Sequence, residues 1–352
     1  MNGAKVARGG VALLWVVAAL CLFALIDRGF TVYEQWLRYQ AQAGVAQIML
    51  EEPIVAYDPV LGWKHVPGRR VDMEQAFPGE NIVFEINQNG FRGVRDYSRE
   101  RPDGVRRVIA LGDSFTFGNN RTHMTWPAQL ETSLGAAGQM VEVINMGASG
   151  YGVDQMALWY REDGYAFEAD LVICAIIAND LERAHLHKWA SGHGRPKFEL
   201  VDRKLKLTNV PVPDRIAPGA PNRHEGDLAD FVRRLAAAER SDRSVDFKMP
   251  MAVLDHLRNM VEERGARFHL VYLPTQPELD GTSPMAELTS QHAQRLDLPF
   301  FDTSDAIKQA MGRSRVPLYR LDGHFTDTGN SIVAKALLPM VLAGFGVNSQ
   351  AQ

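Results

Sequence analysis

Residues 107–118 read RVIALGDSFTFG, an aliphatic run from Val108 to Leu111 that passes straight into Gly112-Asp113-Ser114. A short uninterrupted apolar run closed by glycine predicts a strand buried on both faces, as parallel sheets require. Ser114 then falls at the strand's C-terminal end, the edge where open α/β sheets bind their ligands. Outward from this stretch the sequence alternates. It predicts a helix around Trp126 to Ala137, a strand in VEVINMG (141–147), a helix from Val153 to Tyr165 and a strand in DLVICAIIAND (170–180). Such βαβ alternation predicts a central parallel sheet covered by helices.

The alternation stops between His185 and Arg243, where the chain turns polar and proline-rich, with one hairpin expected in FELVDRKLKLTNV (198–210) and one helix in LADFVRRLAAAE (228–239). Residues 185–245 therefore read as an insertion. Beyond it the pattern resumes with a helix near Pro250 to Arg264, a strand in ARFHLVYLP (266–274), a helix near Pro284 to Leu296, a short strand in PFFDT (299–303) and a final helix from Gly329 to Leu342. Residues 53–100 are rich in Pro, Gly and β-formers and predict short strands and turns.

Gly9 to Ile26 (GGVALLWVVAALCLFALI) is an uncharged run of 18 residues between Lys5 and Arg8 on one side and Asp27 and Arg28 on the other. That is close to the shortest helix that spans a bilayer, and the positive N-terminal flank favours an N-in orientation. A cleaved signal peptide has a shorter apolar core and a small-x-small cleavage site; Phe23-Ala24-Leu25-Ile26-Asp27 is a poor one. A buried core helix is the third reading. The expected organisation is an uncleaved membrane anchor over 1–28, a stalk helix and β-rich lead-in over 29–104, and an extracytoplasmic domain over 105–345, in the periplasm or outside the cell.

Composition is that of a globular protein, with 46% hydrophobic and 23% charged residues and a formal charge of -4. No basic stripe is present, which argues against nucleic acid as partner. Two cysteines, Cys21 and Cys174, make neither a disulfide framework nor a zinc site. His185, His187, His193 and His224 match no metal-ligand spacing, so no metal or cofactor is expected.

A serine is a poor nucleophile without a base within reach. LDGHFTDTGN (321–330) supplies a candidate in His324, with Asp322 two residues before it to accept from Nδ1 and leave Nε2 facing the serine hydroxyl. The plain alternative is a loop in which Asp327 or Thr328 caps the last helix. NMGASG (145–150) and Ala178-Asn179-Asp180 also follow predicted strands, so the N–H of Gly150, the amide of Asn179 and the N–H of Ser114 are candidates for an oxyanion hole. Such a segment taken singly is more often a turn than a site. Asp113 and Asp180 are expected to fix loops.

Together and in this order the four segments resemble the four blocks of the SGNH (GDSL-type) hydrolase superfamily. Ser114 matches its serine, Gly150 its glycine, Asn179 its asparagine and His324 its histidine. The resemblance covers about residues 105–342 and implies a flavodoxin-like three-layer α/β/α fold and cofactor-free cleavage of an acyl ester. Ile177 stands where the family's third block has glycine. The Asp-x-His spacing resembles the branch of bacterial cell-surface polysaccharide acetyl-esterases and acetyltransferases, often membrane-anchored. That likeness implies O-acyl groups of envelope or secreted polysaccharide as substrate, with other small esters next. An O-acyltransferase with the same triad, and a silent polysaccharide-binding or assembly protein, are the competing readings. Phe115 occupies the place where an Asp-nucleophile phosphatase needs its second Asp. No protein partner can be named from the sequence.

Overall fold

Side chains on successive positions of the strand at 106–112 divide between two hydrophobic layers. Ile109 and Leu111 join one core cluster, Val108 and Ala110 the other. This period-two split is what a strand covered on both faces requires. The computed structural model describes residues 22–23, 26–42, 45, 53–188, 193–202, 204–214, 246–279 and 283–347. Its strands are β1 (Val55–Asp58), β2 (Gly62–His65), β3 (Arg70–Asp72), β4 (Val83–Glu85), β5 (Arg106–Gly112), β6 (Val141–Gly147), β7 (Leu171–Ile176), β8 (Lys197–Val201), β9 (Lys204–Thr208), β10 (Arg267–Tyr272) and β11 (Phe300–Asp302). The helices are α1 (26–42), α2 (Ser114–Phe117), α3 (Trp126–Ala136), α4 (Val153–Glu162), α5 (Ala178–Arg183), α6 (Lys248–Glu262), α7 (Gln276–Leu279), α8 (Met285–Arg295), α9 (Ser304–Met311) and α10 (Asp327–Gly344).

Five strands form one parallel sheet in the order β11-β10-β7-β5-β6. Residues of α4, α5, α6 and α8 fill the core on one face, and those of α3, α9 and α10 fill it on the other. This is the expected three-layer α/β/α arrangement. The chain leaving β5 passes to the second face and the chain leaving β7 to the first. The two central strands therefore flank a topological switch point, where their loops part and open a crevice.

The lead-in builds two antiparallel pairs, β1 with β2 and β3 with β4. Ile54, Val71, Met73, Phe77, Ile82, Phe84 and Ile86 form a small core that closes on Phe117 of α2. The expected hairpin in the 185–245 segment is β8 paired with β9; the helix expected at 228–239 lies outside the described residues. The stalk is helical over 26–42, with Tyr39 buried and Gln42 Nε2 donating to the carbonyl of Asp322 at 2.9 Å. Most of the apolar run proposed as an anchor also lies outside the described residues. Among those described, no helix is long and apolar enough to cross a membrane.

Helix α10 begins at Asp327, two residues earlier than expected, and its cap is Thr326, whose Oγ1 accepts from Gly329 N at 3.2 Å. Asp327, one of the two caps considered, instead accepts from Asn120 Nδ2 at 2.8 Å and Arg121 Nη2 at 2.6 Å. Those longer-range bonds draw its carboxylate away from the helix end.

Candidate active site

Register sets the site before any side chain is considered. Gly112 at the end of β5 is level with Gly147 of β6 and Ala175 of β7. Ser114, Gly150 and Asn179 thus follow their strands by two, three and three residues, all at the same sheet edge. Close packing fixes α2 on that edge, because a Cβ on Gly147 would lie 2.1 Å from the Phe117 nitrogen and one on Gly112 would lie 2.0 Å from Thr116 Oγ1. Asn145 Nδ2 donates to the Thr116 carbonyl at 2.9 Å from the β6 side. Asp113 caps the turn, its Oδ1 accepting from Phe115 N at 2.8 Å, and Ser114 becomes the first, half-buried residue of α2.

The loop before α10 delivers His324 and Asp322. Gly323, at φ 91, allows a turn closed by the Gly323 N–H to Arg320 O bond at 3.0 Å. His324 Nε2 lies 2.7 Å from Ser114 Oγ, and Nδ1 lies 3.1 Å from Asp322 Oδ2. The other carboxylate oxygen accepts from the His324 backbone N–H at 3.1 Å. An ionised carboxylate only accepts, so Nδ1 carries the ring proton and Nε2 presents its lone pair to the hydroxyl. The Phe115 ring, 4.9 Å away, packs against the imidazole.

Electrostatics follow from this chain. Burial would raise the Asp322 carboxyl, but the neighbouring His324 charge and the bonds from His324 and Asn119 outweigh it and hold the group down at about 2. Burial would lower His324; the Asp322 charge and hydrogen bond, with Asp113 beyond, prevail and leave it above its ordinary value.

Asp113 and Asp180 both fix loops. Asp180 Oδ2 accepts from Ile177 N at 3.0 Å, and Arg183 bridges the two carboxylates, reaching Asp113 Oδ2 at 2.8 Å and Asp180 Oδ1. Burial and the Asp113 charge push Asp180 well up, against the pull of Arg183. The bridge ties the loop after β5 to that after β7.

Gly150 is buried with φ 79, the left-handed region that glycine enters without strain, whereas Asn179 is exposed. Among the described residues, neither the N–H of Ser114, nor that of Gly150, nor the Asn179 amide has a protein acceptor. Buried N–H groups are rarely left so. Asn119 and Arg183, which hold Asp322 and Asp113, carried no motif by which the sequence would have shown them. No group of three or more His, Cys, Asp or Glu among the described residues is placed to hold a metal ion. A cavity lined by Arg101, Arg106, Arg264 and Arg267 lies at the opposite sheet edge, where β5 and β10 begin.

No curated protein matches the chain. Among solved structures it is similar to an α/β hydrolase enzyme from the metagenome of Lake Arreo, Spain, at 18% identity and a TM-score of 0.43, over 69% of this chain and 97% of that one. A catalytic mutant of an acetylxylan esterase from Geobacillus stearothermophilus is 17% identical with a TM-score of 0.43, over 70% and 97%. The lipase/acylhydrolase from Enterococcus faecalis is 14% identical with a TM-score of 0.40, over 70% and 100%. The model of the GDSL-like lipase/acylhydrolase family matches residues 110–332, more than half of the chain and the whole span from Ser114 to His324. The chain therefore belongs to the GDSL-like lipase/acylhydrolase family and is a carboxylic ester hydrolase of that kind.

Proposed function

We propose that Ser114 is the nucleophile of a two-step acyl transfer to water, with His324 as general base and Asp322 as its orienting carboxylate. The observation that carries this reading is the unbroken hydrogen-bonded chain from Ser114 Oγ through the His324 ring to Asp322. Nε2 takes the hydroxyl proton as Oγ bonds to the ester carbonyl carbon, and the carbonyl oxygen becomes an oxyanion. The N–H groups of Ser114 and Gly150 and the Asn179 amide are its donors. Collapse breaks the ester C–O bond, and the leaving alkoxide takes the proton from Nε2. Water then gives a proton to the same nitrogen as its oxygen bonds to the acyl carbon, and collapse breaks the bond to Oγ, which takes the proton back from Nε2 as the carboxylic acid leaves. Nothing in this sequence of steps calls on a metal or cofactor.

The substrate reading is an O-acyl, foremost acetyl, ester of envelope or secreted polysaccharide. The Asp-x-His spacing supports it, as does the 9–26 run behind Lys5 and Arg8, which would hold the domain on the outer side of a membrane. The test is p-nitrophenol release from p-nitrophenyl acetate by the detergent-solubilised full-length chain beside Ser114→Ala, followed by acetate release from O-acetylated polysaccharide. Activity lost in the variant is expected. Equal activity in both would overturn the assignment, and acetate release from simple esters alone would overturn the polysaccharide.

A further inference from the structure

The loop carrying Gly150 is gripped by three consecutive carbonyls. Ser149 O accepts from Trp63 Nε1 at 3.3 Å, Gly150 O from Arg195 Nη1 at 2.9 Å and Tyr151 O from Arg183 Nη1 at 3.2 Å. The donors come from three separate segments: β2, the stretch before β8, and α5. A trans peptide is planar, with its C=O and N–H pointing in opposite directions. Ser149 C=O and Gly150 N–H belong to one such plane. Trp63, by holding the oxygen, sets where the Gly150 N–H points. Arg195 holds the next peptide and so limits rotation on the other side of the Gly150 Cα.

Both side chains are themselves locked. Trp63 and Arg195 are buried, with the guanidinium 5.4 Å from the indole centroid. The Trp63 carbonyl accepts from Tyr151 Oη at 2.6 Å, and Arg195 Nη2 meets Asp154 Oδ1 at 3.2 Å. The two segments touch at the neighbouring residues, since a Cβ on Gly62 would lie 2.2 Å from the Gly194 carbonyl oxygen.

We infer that Trp63 and Arg195 are positioning residues for ester hydrolysis, acting together to aim the Gly150 N–H at the oxyanion. The inference rests on the reading of Gly150 as an oxyanion donor. It gives the lead-in and the segment between α5 and β8 a role in the reaction, namely holding rigid a donor whose aim matters in the transition state.

Loss of aim lowers kcat and leaves KM and the pH midpoint in place, because the ground-state carbonyl and His324 are unaffected. Steady-state kinetics on p-nitrophenyl acetate, with inhibition by an alkylboronic acid as the tetrahedral mimic, read this. Trp63→Phe, which keeps a ring and loses the donor, is expected to lower kcat about tenfold. Arg195→Met is expected to lower it by about 10 to 100-fold, with boronate affinity falling in proportion and KM within about twofold.

Because Arg195→Met strands the buried Asp154, the double variant Arg195→Met/Asp154→Asn separates aim from folding. Regained stability with kcat still low supports the inference. Wild-type kcat in the double variant and in Trp63→Phe overturns it while leaving the Ser114 assignment standing, provided that Ser114→Ala is inactive in the same assay. An inactive wild type overturns both.

Discussion

Asn119 Nδ2 donates to Asp322 Oδ2 at 2.8 Å, the oxygen that also faces His324 Nδ1 at 3.1 Å. Two donors converge on one oxygen, which explains why the amide nitrogen lies 3.1 Å from Nδ1 without donating to it. The amide shares the load of a buried carboxylate and fixes its rotation. Asn119→Leu removes that bond and is expected to raise the Asp322 carboxyl and reduce kcat by about tenfold, in keeping with a lost bond to a charged group. Asn119→Asp sets a second carboxylate against the first and is expected to do more damage. Kinetics of the two variants rank them.

The pH dependence has a definite sign. As the proposed general base His324 must be neutral to act, and its value is raised, so kcat/KM should climb with pH through a midpoint above the ordinary histidine value of about 6.5. Asp322→Asn deletes the charge that raises it, so the midpoint should fall while the rate drops by orders of magnitude for want of the correct tautomer. Profiles of kcat/KM from pH 5 to 9 (about the range in which histidine titrates) check both.

Stability carries the matching signature. Asp322 titrates at about 2 in the fold and higher when unfolded, so its contribution is complete above the unfolded value and is lost as pH falls toward 2. His324, raised by folding, adds stability below its unfolded value and loses it as pH climbs through the folded one. Urea unfolding of the wild type and Asp322→Asn across pH should differ most in weak acid, where Asp322 is ionised and His324 is protonated, and converge as pH falls toward 2.

Arg183 holds two fully buried carboxylates together. Arg183→Met leaves Asp113 and Asp180 facing each other without a counter-charge and is expected to cost about 3 to 5 kcal/mol. Adding Asp180→Asn should restore part of it. Chemical denaturation of the single and double variants provides the check.

Gly147→Ala tests how tightly α2 is seated. Its Cβ would meet the Phe117 backbone at 2.1 Å, where no flexible side chain can give way. The expected result is a loss of about 1 to 3 kcal/mol with a larger proportional loss of kcat, because the strain falls on the turn that carries Ser114. Thermal unfolding and kinetics on one preparation separate the two effects.

The sheet was legible because its strands are buried on both faces and read as continuous apolar runs, as Val108–Leu111 and Leu171–Ile176 show. Ser114, Gly150 and Asn179 were legible because strand ends mark one edge, and Asp322 because it lies two residues from His324. Asn119 and Arg183 were not, since the contacts that bring them to the site span large sequence separations, 203 residues for Asn119 to Asp322 and 70 for Arg183 to Asp113. Trp63 and Arg195 lie in segments without strand-helix periodicity, where nothing local marks a partner. Thr326 does not stand out as the helix cap in the sequence because Asp327 and Thr328 beside it are equally good caps, and only long-range contacts such as those of Asp327 with Asn120 and Arg121 decide among them.

The most direct measurement is acid-quench mass spectrometry of the full-length protein during turnover of p-nitrophenyl acetate. One acetyl group on the peptide containing Ser114, absent in Ser114→Ala and accumulating when His324 is replaced only as slowly as the acylation rate allows, is the predicted result. Acetyl on a different residue, or undiminished turnover by Ser114→Ala, would contradict the account.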